Sequence, residues 1–188
     1  MMEQEILKCL EALKTGRTIL YPTDTIWGIG CDALNPKAVE KVYFLKKRME
    51  DKSLIILLDD PSKLPLYVGN VPLIAWDLIK QVDSPLTIIY PNARNLPENV
   101  TGEDNSIAIR IVHDIFCRSL VRAFGRPVIS TSANISGEPA PLIFKNISPE
   151  IKNGVGYVVN LFQDEFHDVK PSRIIKFNEK GEFRVIRK

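Results

Sequence analysis

The sequence contains few of the residues that build disulfide frameworks or metal sites. It has only three cysteines, Cys9, Cys31 and Cys117, which lie far apart and include no C-x-x-C pair. It has only two histidines, His113 and His167, and neither has another histidine or a cysteine at ligand spacing. These shortages argue against a disulfide-stapled secreted domain and against a zinc site. They favour a reducing compartment.

Long apolar runs and a strong net charge are also missing. No apolar run approaches the roughly 20 residues that a membrane-spanning helix needs. The opening segment, MMEQEILKCLEALKTG, is acidic and amphipathic, whereas a signal peptide begins with a basic region followed by an apolar block. The net charge of +2 creates no overall field that would demand nucleic acid. We therefore expect a cytoplasmic protein with no membrane partner.

Several well-known nucleotide-binding and catalytic motifs are absent or incomplete. The segment GIGCDA (28–33) matches G-x-G-x-x-A, but the helix start signal, Asn35-Pro36, comes after it. A dinucleotide fingerprint needs the helix to begin within the glycines. We therefore expect Gly28 and Gly30 to allow close packing of a strand beside a cavity. The sequence contains neither a P-loop nor a G-x-S-x-G nucleophile elbow.

Hydrophobic periodicity predicts helices alternating with strands through the first two-thirds of the chain, and mainly strands thereafter. Helices are predicted at residues 3–15, 36 to about 48, 72 to about 82, and 114–124. Strands are predicted at 17–21, 26–30, 54–58, 86–90, 106–111, 127–130, 157–161, 173–177 and 182–186, with a hairpin turn at 178–181. This pattern indicates an α/β fold with a mixed, twisted sheet, which we expect to form one domain over residues 1–188.

Polar residues cluster in four segments at the ends or faces of predicted strands: YPTDTIWG (21–28), LKKRMEDKS (45–53), SIAIRI (106–111) and STSANISG (130–137). Taken singly, they have simpler explanations, such as a turn, a solvated helix end or a solvated face of a sheet. Together they predict an anion-binding cavity with no obvious nucleophile or general base. Such a site suits reactions driven by positioning and charge stabilisation, for example attack on a nucleotide phosphate.

Five segments in this order and spacing closely resemble the YrdC family of threonylcarbamoyl-AMP synthases: YPTDTIWGIGCDA, LKKRMEDKSLIIL, SPLTIIYP, SIAIR and STSANISG. The resemblance runs from about Gly16 to Arg187. It implies an open, twisted α/β sheet of mixed parallel and antiparallel strands, with flanking helices and a concave cationic cavity. The chain is similar to the short, single-domain form of the family.

The resemblance also implies an activity. Family members make L-threonylcarbamoyl-adenylate and pyrophosphate from L-threonine, bicarbonate or CO2, and ATP, with Mg²⁺. The product feeds the threonylcarbamoyl modification of adenosine in tRNA, which implies downstream tRNA-modifying proteins as partners.

Individual site residues follow from the same resemblance. Lys46 and Arg48 are implied as the catalytic pair facing the ATP phosphates. Four residues are implied in L-threonine binding: Thr25, Arg110, Ser130 and Ser172. Seven are implied in ATP binding: Lys46, Arg48, Lys52, Ser132, Asn134, Ser136 and Arg187. No side chain is implied as a metal ligand, and Mg²⁺ is expected to arrive with the ATP phosphates.

Two alternatives remain open at this point. The same cavity, with the basic strands near the C-terminus, could bind double-stranded RNA or tRNA without catalysis. A steep loss of affinity with salt would identify such a backbone binder. The fold is also shared by the carbamoyl-transfer domains of hydrogenase-maturation proteins, which belong to much longer chains. Their zinc-finger and acylphosphatase segments are not found in this sequence.

Overall fold

The computed structural model describes residues 1–47, 54–82, 84–164 and 171–188. The α-helices in these ranges are α1 (Met2–Lys14), α2 (Pro36–Lys46), α3 (Leu64–Tyr67), α4 (Leu73–Gln81), α5 (Ile115–Phe124) and α6 (Pro149–Gly154). The strands are β1 (Ile19–Tyr21), β2 (Gly28–Gly30), β3 (Ile55–Leu58), β4 (Leu86–Tyr90), β5 (Ile107–Ile111), β6 (Val128–Ser132), β7 (Tyr157–Val158), β8 (Arg173–Phe177) and β9 (Phe183–Arg187).

Within those residues, all nine strands join one sheet in the order β7-β1-β2-β6-β3-β5-β4-β8-β9. Three neighbouring pairs run parallel, namely β1 with β7, β3 with β5, and β4 with β8. The other neighbouring pairs run antiparallel. Helix α5 lies against β3 and also contacts α1. The predicted α/β fold with an open mixed sheet and flanking helices is confirmed.

The helix boundaries follow from local capping chemistry. Asn35 caps α2 by accepting a hydrogen bond from the Ala38 N–H, and Pro36 occupies the first helical turn. Asp114 caps α5 by accepting from the Cys117 N–H at 2.8 Å. Gly125 then ends α5 with a left-handed φ of 73°, a conformation that glycine adopts without steric cost.

Apolar side chains from the helices and strands form a continuous core. Helix α1 contributes Ile6, Cys9 and Leu13, which recur at helical spacing and are buried. Fully burying one aliphatic side chain contributes roughly 1.5–3 kcal/mol, so this stripe holds α1 against the rest of the fold. In the part of the chain that the structure describes, no helix is long and apolar enough to cross a bilayer.

Some predicted boundaries were wrong. The strand predicted at 157–161 is limited to Tyr157–Val158, and the short helices α3 and α6 were not predicted. Helices of four and six residues are too short to repeat the apolar spacing over several turns, which is the signal that predicts a helix. Strand β6 continues through Ser132, beyond its predicted end at residue 130. Its hydroxyl residues therefore belong to the sheet and not only to the loop that follows.

Candidate active site

A row of paired residues crosses four neighbouring strands and brings two arginines to one face of the sheet. Arg110 of β5 lies opposite Thr87 of β4, and Thr87 lies opposite Ile174 of β8. Ile174 lies opposite Arg187 of β9. Side chains of directly paired residues project to the same face of a sheet. The strand register therefore directs the Arg110 and Arg187 side chains to the same side.

A cavity of about 340 Å³ opens at this face of the sheet. Apolar side chains such as Trp27, Ile55 and Ile89 form part of its wall. The predicted site residues at the wall are Thr25, Arg110, Ser130, Ser132, Ser172 and Arg187. The structure thus gathers residues from five separate segments of the chain around a single space that combines hydroxyl and guanidinium groups.

Arg110 is almost completely buried at this wall, with 4% of its surface exposed. Its Nη1 donates a hydrogen bond to Thr25 Oγ1 at 3.1 Å, and its Nη2 lies 3.4 Å from Asp24 Oδ1. Its Nε has no hydrogen-bond partner among the described residues. A buried charged donor without an acceptor is costly, by about 1–3 kcal/mol or more. An anionic ligand in the cavity that Arg110 lines would offset the positive charge of this guanidinium.

Ser172 links Arg187, the second arginine at the cavity wall, to the interior of the sheet. Arg187 Nε donates to the Ser172 carbonyl oxygen at 2.9 Å, and Arg187 Nη2 donates to Ser172 Oγ at 3.3 Å. Ser172 Oγ also shares a buried 2.8 Å hydrogen bond with Thr87 Oγ1. Partial desolvation, together with the positive charge of Arg110, lowers the pKa of Arg187. Arg110 and Arg187 both line the same cavity.

Lys46 connects the end of α2 to the loop that follows β6. It is 2% exposed, and its Nζ donates to the carbonyl oxygens of Ser132 at 2.6 Å and Asn134 at 2.7 Å. The Ser136 N–H donates to the Lys46 carbonyl oxygen at 2.8 Å. Within the described structure, Lys46, Asn134 and Ser136 are not among the residues that line the cavity. Their contacts with ATP remain predictions.

Arg48 and Lys52 lie outside the described residues. The predicted contacts of these two side chains with the ATP phosphates therefore also remain predictions.

The two glycines of GIGCDA serve close packing, as predicted. A Cβ atom on Gly30 would lie 2.6 Å from the Ile129 carbonyl oxygen and 2.7 Å from Tyr21 Cε1. A Cβ atom on Gly28 would lie 3.3 Å from Ser130 Oγ, at the cavity wall. Helix α2 begins only at Pro36, well after the glycines, as the cap signal indicates.

Sequence reasoning missed two residues of the site. Thr87 is fully buried in an apolar strand, and its pairing with Arg110 depends on a register that the sequence does not display. Asp24 lies in the polar segment 21–28, from which only Thr25 was assigned to the site, yet the Asp24 carboxylate forms the ion pair with Arg110. An apolar strand interrupted by a single threonine was the one available signal for Thr87.

Comparison with known proteins places these features in a family. The Sua5/YciO/YrdC family model, described as "Telomere recombination", matches residues 11–188. The chain belongs to the Sua5/YciO/YrdC family. This confirms the YrdC resemblance.

Two relatives show the extent of the sequence similarity. The threonylcarbamoyl-AMP synthase of Pseudoalteromonas translucida is 32% identical over 161 residues, covering 84% of this chain and 86% of the relative. The putative threonylcarbamoyl-AMP synthase of Methanocaldococcus jannaschii is 35% identical over 181 residues, covering 94% of this chain and 84% of the relative.

Solved structures of the family share the fold. P. abyssi Sua5, complexed with L-threonine, matches with a TM-score of 0.89 and 24% identity over 100% of this chain and 54% of that protein. E. coli YciO matches with a TM-score of 0.85 and 20% identity over 100% of this chain and 90% of that protein. The present chain therefore spans about half the length of the archaeal Sua5.

Proposed function

We propose that the protein is a threonylcarbamoyl-AMP synthase, which forms L-threonylcarbamoyl-adenylate and pyrophosphate from L-threonine, bicarbonate or CO2, and ATP. The observation that carries the proposal is the buried Arg110, whose Nε lacks a partner in the described residues at the wall of a hydroxyl-lined cavity. The names of relatives that are 32% and 35% identical support the same activity. They favour it over an RNA-binding module without catalysis.

Arg110 is suited to the carboxylate of an amino acid. A guanidinium presents parallel N–H donors in a planar fork that matches the two oxygens of a carboxylate. The hydroxyls of Thr25, Ser130 and Ser172 also border the cavity, so they offer hydrogen bonds to the rest of the substrate. We assign these four residues to L-threonine.

The nucleotide would occupy the adjoining part of the site. Ser132 and Arg187 stand at the wall, and Arg187 brings a second positive charge to the cavity. We assign ATP contacts to these residues and to Lys46, Arg48, Lys52, Asn134 and Ser136. Mg²⁺ enters as part of the ATP substrate, bound to its phosphates. The cationic side chains offset phosphate charge, which is the main contribution a protein makes to this class of reaction.

The reaction requires two bond-forming steps. The neutral amine of L-threonine attacks CO2, forms a C–N bond and loses one proton to give a carbamate. A carbamate oxygen then attacks the α-phosphorus of ATP, and a new O–P bond forms as the bond to pyrophosphate breaks. Pyrophosphate leaves with the electron pair. No covalent protein intermediate is needed, so the site acts by positioning and charge stabilisation.

The product is a reactive mixed anhydride, which must be passed on. We propose that downstream tRNA-modifying proteins consume it in the threonylcarbamoyl modification of tRNA adenosine, and that the reaction takes place in the cytoplasm. The unpaired state of Cys9, Cys31 and Cys117 is compatible with that reducing compartment. Direct binding of tRNA or double-stranded RNA remains a prediction from the sequence.

A single incubation tests the function. The protein is mixed with L-threonine, bicarbonate, ATP and Mg²⁺, and the adenylate is sought by mass spectrometry while pyrophosphate is measured by a coupled assay. Omission of any one substrate should abolish the product. Pyrophosphate release without threonine, or no adenylate at all, would contradict the proposal. RNA binding that weakens steeply with salt, without turnover, would support the alternative module.

A further inference from the structure

The PTDT turn contains a chain of hydrogen bonds that ends at the cavity wall. Thr23 Oγ1 donates to the Ile26 carbonyl oxygen at 2.8 Å and accepts from the Thr25 N–H at 3.0 Å. Thr23 Oγ1 and Thr25 Oγ1 are 2.9 Å apart. Thr25 Oγ1 in turn lies 3.1 Å from Arg110 Nη1. Four polar groups are therefore linked in series.

The number of hydrogens on each group fixes which atom donates in every hydrogen bond of this series. A threonine hydroxyl has one hydrogen and two lone pairs. The carbonyl oxygen of Ile26 can only accept, so the one hydrogen of Thr23 Oγ1 is used there. In the contact between the two hydroxyls, Thr25 must therefore donate and Thr23 must accept. The hydrogen of Thr25 Oγ1 is thus directed away from Arg110.

The other side of Thr25 is fixed by Arg110. A guanidinium has donors and no acceptor, so Arg110 Nη1 donates and Thr25 Oγ1 accepts. Thr25 Oγ1 has then used its hydrogen and one lone pair within the protein. One lone pair remains for a ligand in the cavity that Thr25 lines. Toward that ligand, Thr25 is an acceptor only.

We infer that Thr23 is a positioning residue that fixes Thr25 as a hydrogen-bond acceptor for an N–H or O–H donor of the amino-acid substrate. Thr23 lines the adjacent pocket beside the start of α5 and is outside the described wall of this cavity, so toward a ligand in this cavity it acts through Thr25. The inference rests on the proposed function, because it concerns how the same site orients L-threonine.

The arrangement makes the two ends of the substrate distinguishable. A carboxylate has only acceptors, so it is drawn to the positive charge of the Arg110 guanidinium and repelled by the lone pair of Thr25. The amine and the β-hydroxyl of L-threonine both carry hydrogens that this lone pair can accept. The pair Arg110 and Thr25 therefore sets the carboxylate on one side and a donor group on the other.

Removing the Thr23 hydroxyl tests this. In Thr23→Val the Thr25 hydroxyl loses its acceptor and becomes free to rotate, whereas Thr23→Ser keeps the acceptor. We expect Thr23→Val to raise the KM for L-threonine by about two- to tenfold, the effect of one neutral hydrogen bond. The KM for ATP should change less than twofold, and Thr23→Ser should restore the wild-type KM for L-threonine.

The matched control is Thr101→Val. Thr101 Oγ1 also donates to a backbone carbonyl in a loop, that of Glu98 at 3.1 Å, but it is not at the described cavity wall. The Thr101→Val substitution should leave the KM for L-threonine unchanged. Thermal melts of all variants check that each remains folded.

The use of L-2-aminobutyrate, which lacks the β-hydroxyl, identifies the donor. If the hydroxyl contacts Thr25, Thr23→Val raises the KM for L-threonine only. If the amine contacts Thr25, the KM for both substrates rises equally. Either result supports the inference.

An unchanged KM for L-threonine in Thr23→Val would overturn it, as would an equal rise in the KM for ATP that Thr23→Ser does not reverse. Should the wild-type protein form no adenylate, the proposed function fails. In that case, calorimetric titration with L-threonine alone tests the role of Thr23. The affinity of Thr23→Val for L-threonine should then be about two- to tenfold lower than that of the wild type. Equal affinities of wild type and Thr23→Val, or no threonine binding by the wild type, would also overturn the inference.

Discussion

Thr87 Oγ1 and Ser172 Oγ are 2.8 Å apart in a hydrogen bond that is buried between β4 and the residue preceding β8. Ser172 also accepts from Arg187, so this bond anchors an arginine of the cavity wall to the interior of the sheet. Strands β4 and β8 pair in the sheet although they are far apart in the sequence. Two hydroxyls that are far apart in sequence therefore depend on each other.

The first prediction concerns this bond. Thr87→Val keeps the shape of the side chain but removes the buried hydrogen bond to Ser172, which leaves Arg187 as the remaining described partner of the Ser172 hydroxyl. We expect the free energy of unfolding to fall by about 1–3 kcal/mol, which denaturant titration measures. Thr87→Ser should lose less than Thr87→Val because it retains the hydroxyl. Equal losses in the two variants would show that packing, rather than the hydrogen bond, is what Thr87 contributes.

The second prediction concerns Arg110. Arg110→Lys retains the positive charge but removes the planar fork and the bond to Thr25. We expect the affinity for L-threonine to fall by about 10- to 100-fold, since hydrogen bonds to charged groups contribute roughly 1.5–3 kcal/mol. Arg110→Ala should lose more, because it also leaves Asp24 without its cationic partner. An unchanged threonine titration in either variant would contradict the carboxylate assignment.

The third prediction concerns Arg48, which lies outside the described residues. We expect Arg48→Ala to reduce threonine-dependent pyrophosphate release by roughly 10²–10³, by analogy with the loss of one oxyanion donor. The protein should remain folded by circular dichroism. Arg118→Ala, which removes an exposed arginine of α5, serves as the control and should turn over normally. Wild-type turnover in Arg48→Ala would rule out its catalytic role.

The fourth prediction separates the two glycines of β2. In Gly30→Ala the new Cβ would meet the Ile129 carbonyl oxygen at 2.6 Å, a backbone atom that cannot move without breaking the sheet register. We expect the free energy of unfolding to fall by about 1–3 kcal/mol or more. In Gly28→Ala the closest atom is Ser130 Oγ at 3.3 Å, a side-chain atom of the cavity wall. That variant should lose substrate affinity before it loses stability.

The fifth prediction concerns pH. Burial of Glu5 by itself raises its pKa, but hydrogen bonds from Tyr157, the Asn160 N–H and Lys8 outweigh burial and lower the pKa below 4.5. A carboxylate whose pKa is depressed in the folded state stabilises the protein at pH values above 4.5, the ordinary value. This stabilisation is lost as the pH falls through the folded-state pKa.

Glu5→Gln measures this contribution. Denaturant titrations from pH 7 to pH 3 should show wild type more stable than Glu5→Gln near neutrality, with the difference shrinking in acid. A difference that stays constant with pH would show that the charge of Glu5 does not stabilise the fold.

Much of the fold could be predicted because its signals are local. The Asn35-Pro36 start of α2 and the Asp114 cap of α5 are set by a few neighbouring residues. Capping and side-chain period depend on backbone dihedrals and on hydrogen bonds between nearby residues, so they can be read from a short window. The family resemblance named six residues of the cavity wall in the same way, from short motifs.

Only the tertiary structure decided how these pieces meet. The row that links Arg110 through Thr87 to Arg187, the Thr87–Ser172 bond and the burial of Lys46 against the loop after β6 all depend on pairing between distant segments. A shift of one residue in register would turn each side chain to the other face of the sheet. By itself, therefore, the sequence determined the longer helices, the approximate positions of the strands and the kinds of groups in the site. Long-range strand pairing decided which of those groups share one cavity and which, like Thr23, act on it through another residue.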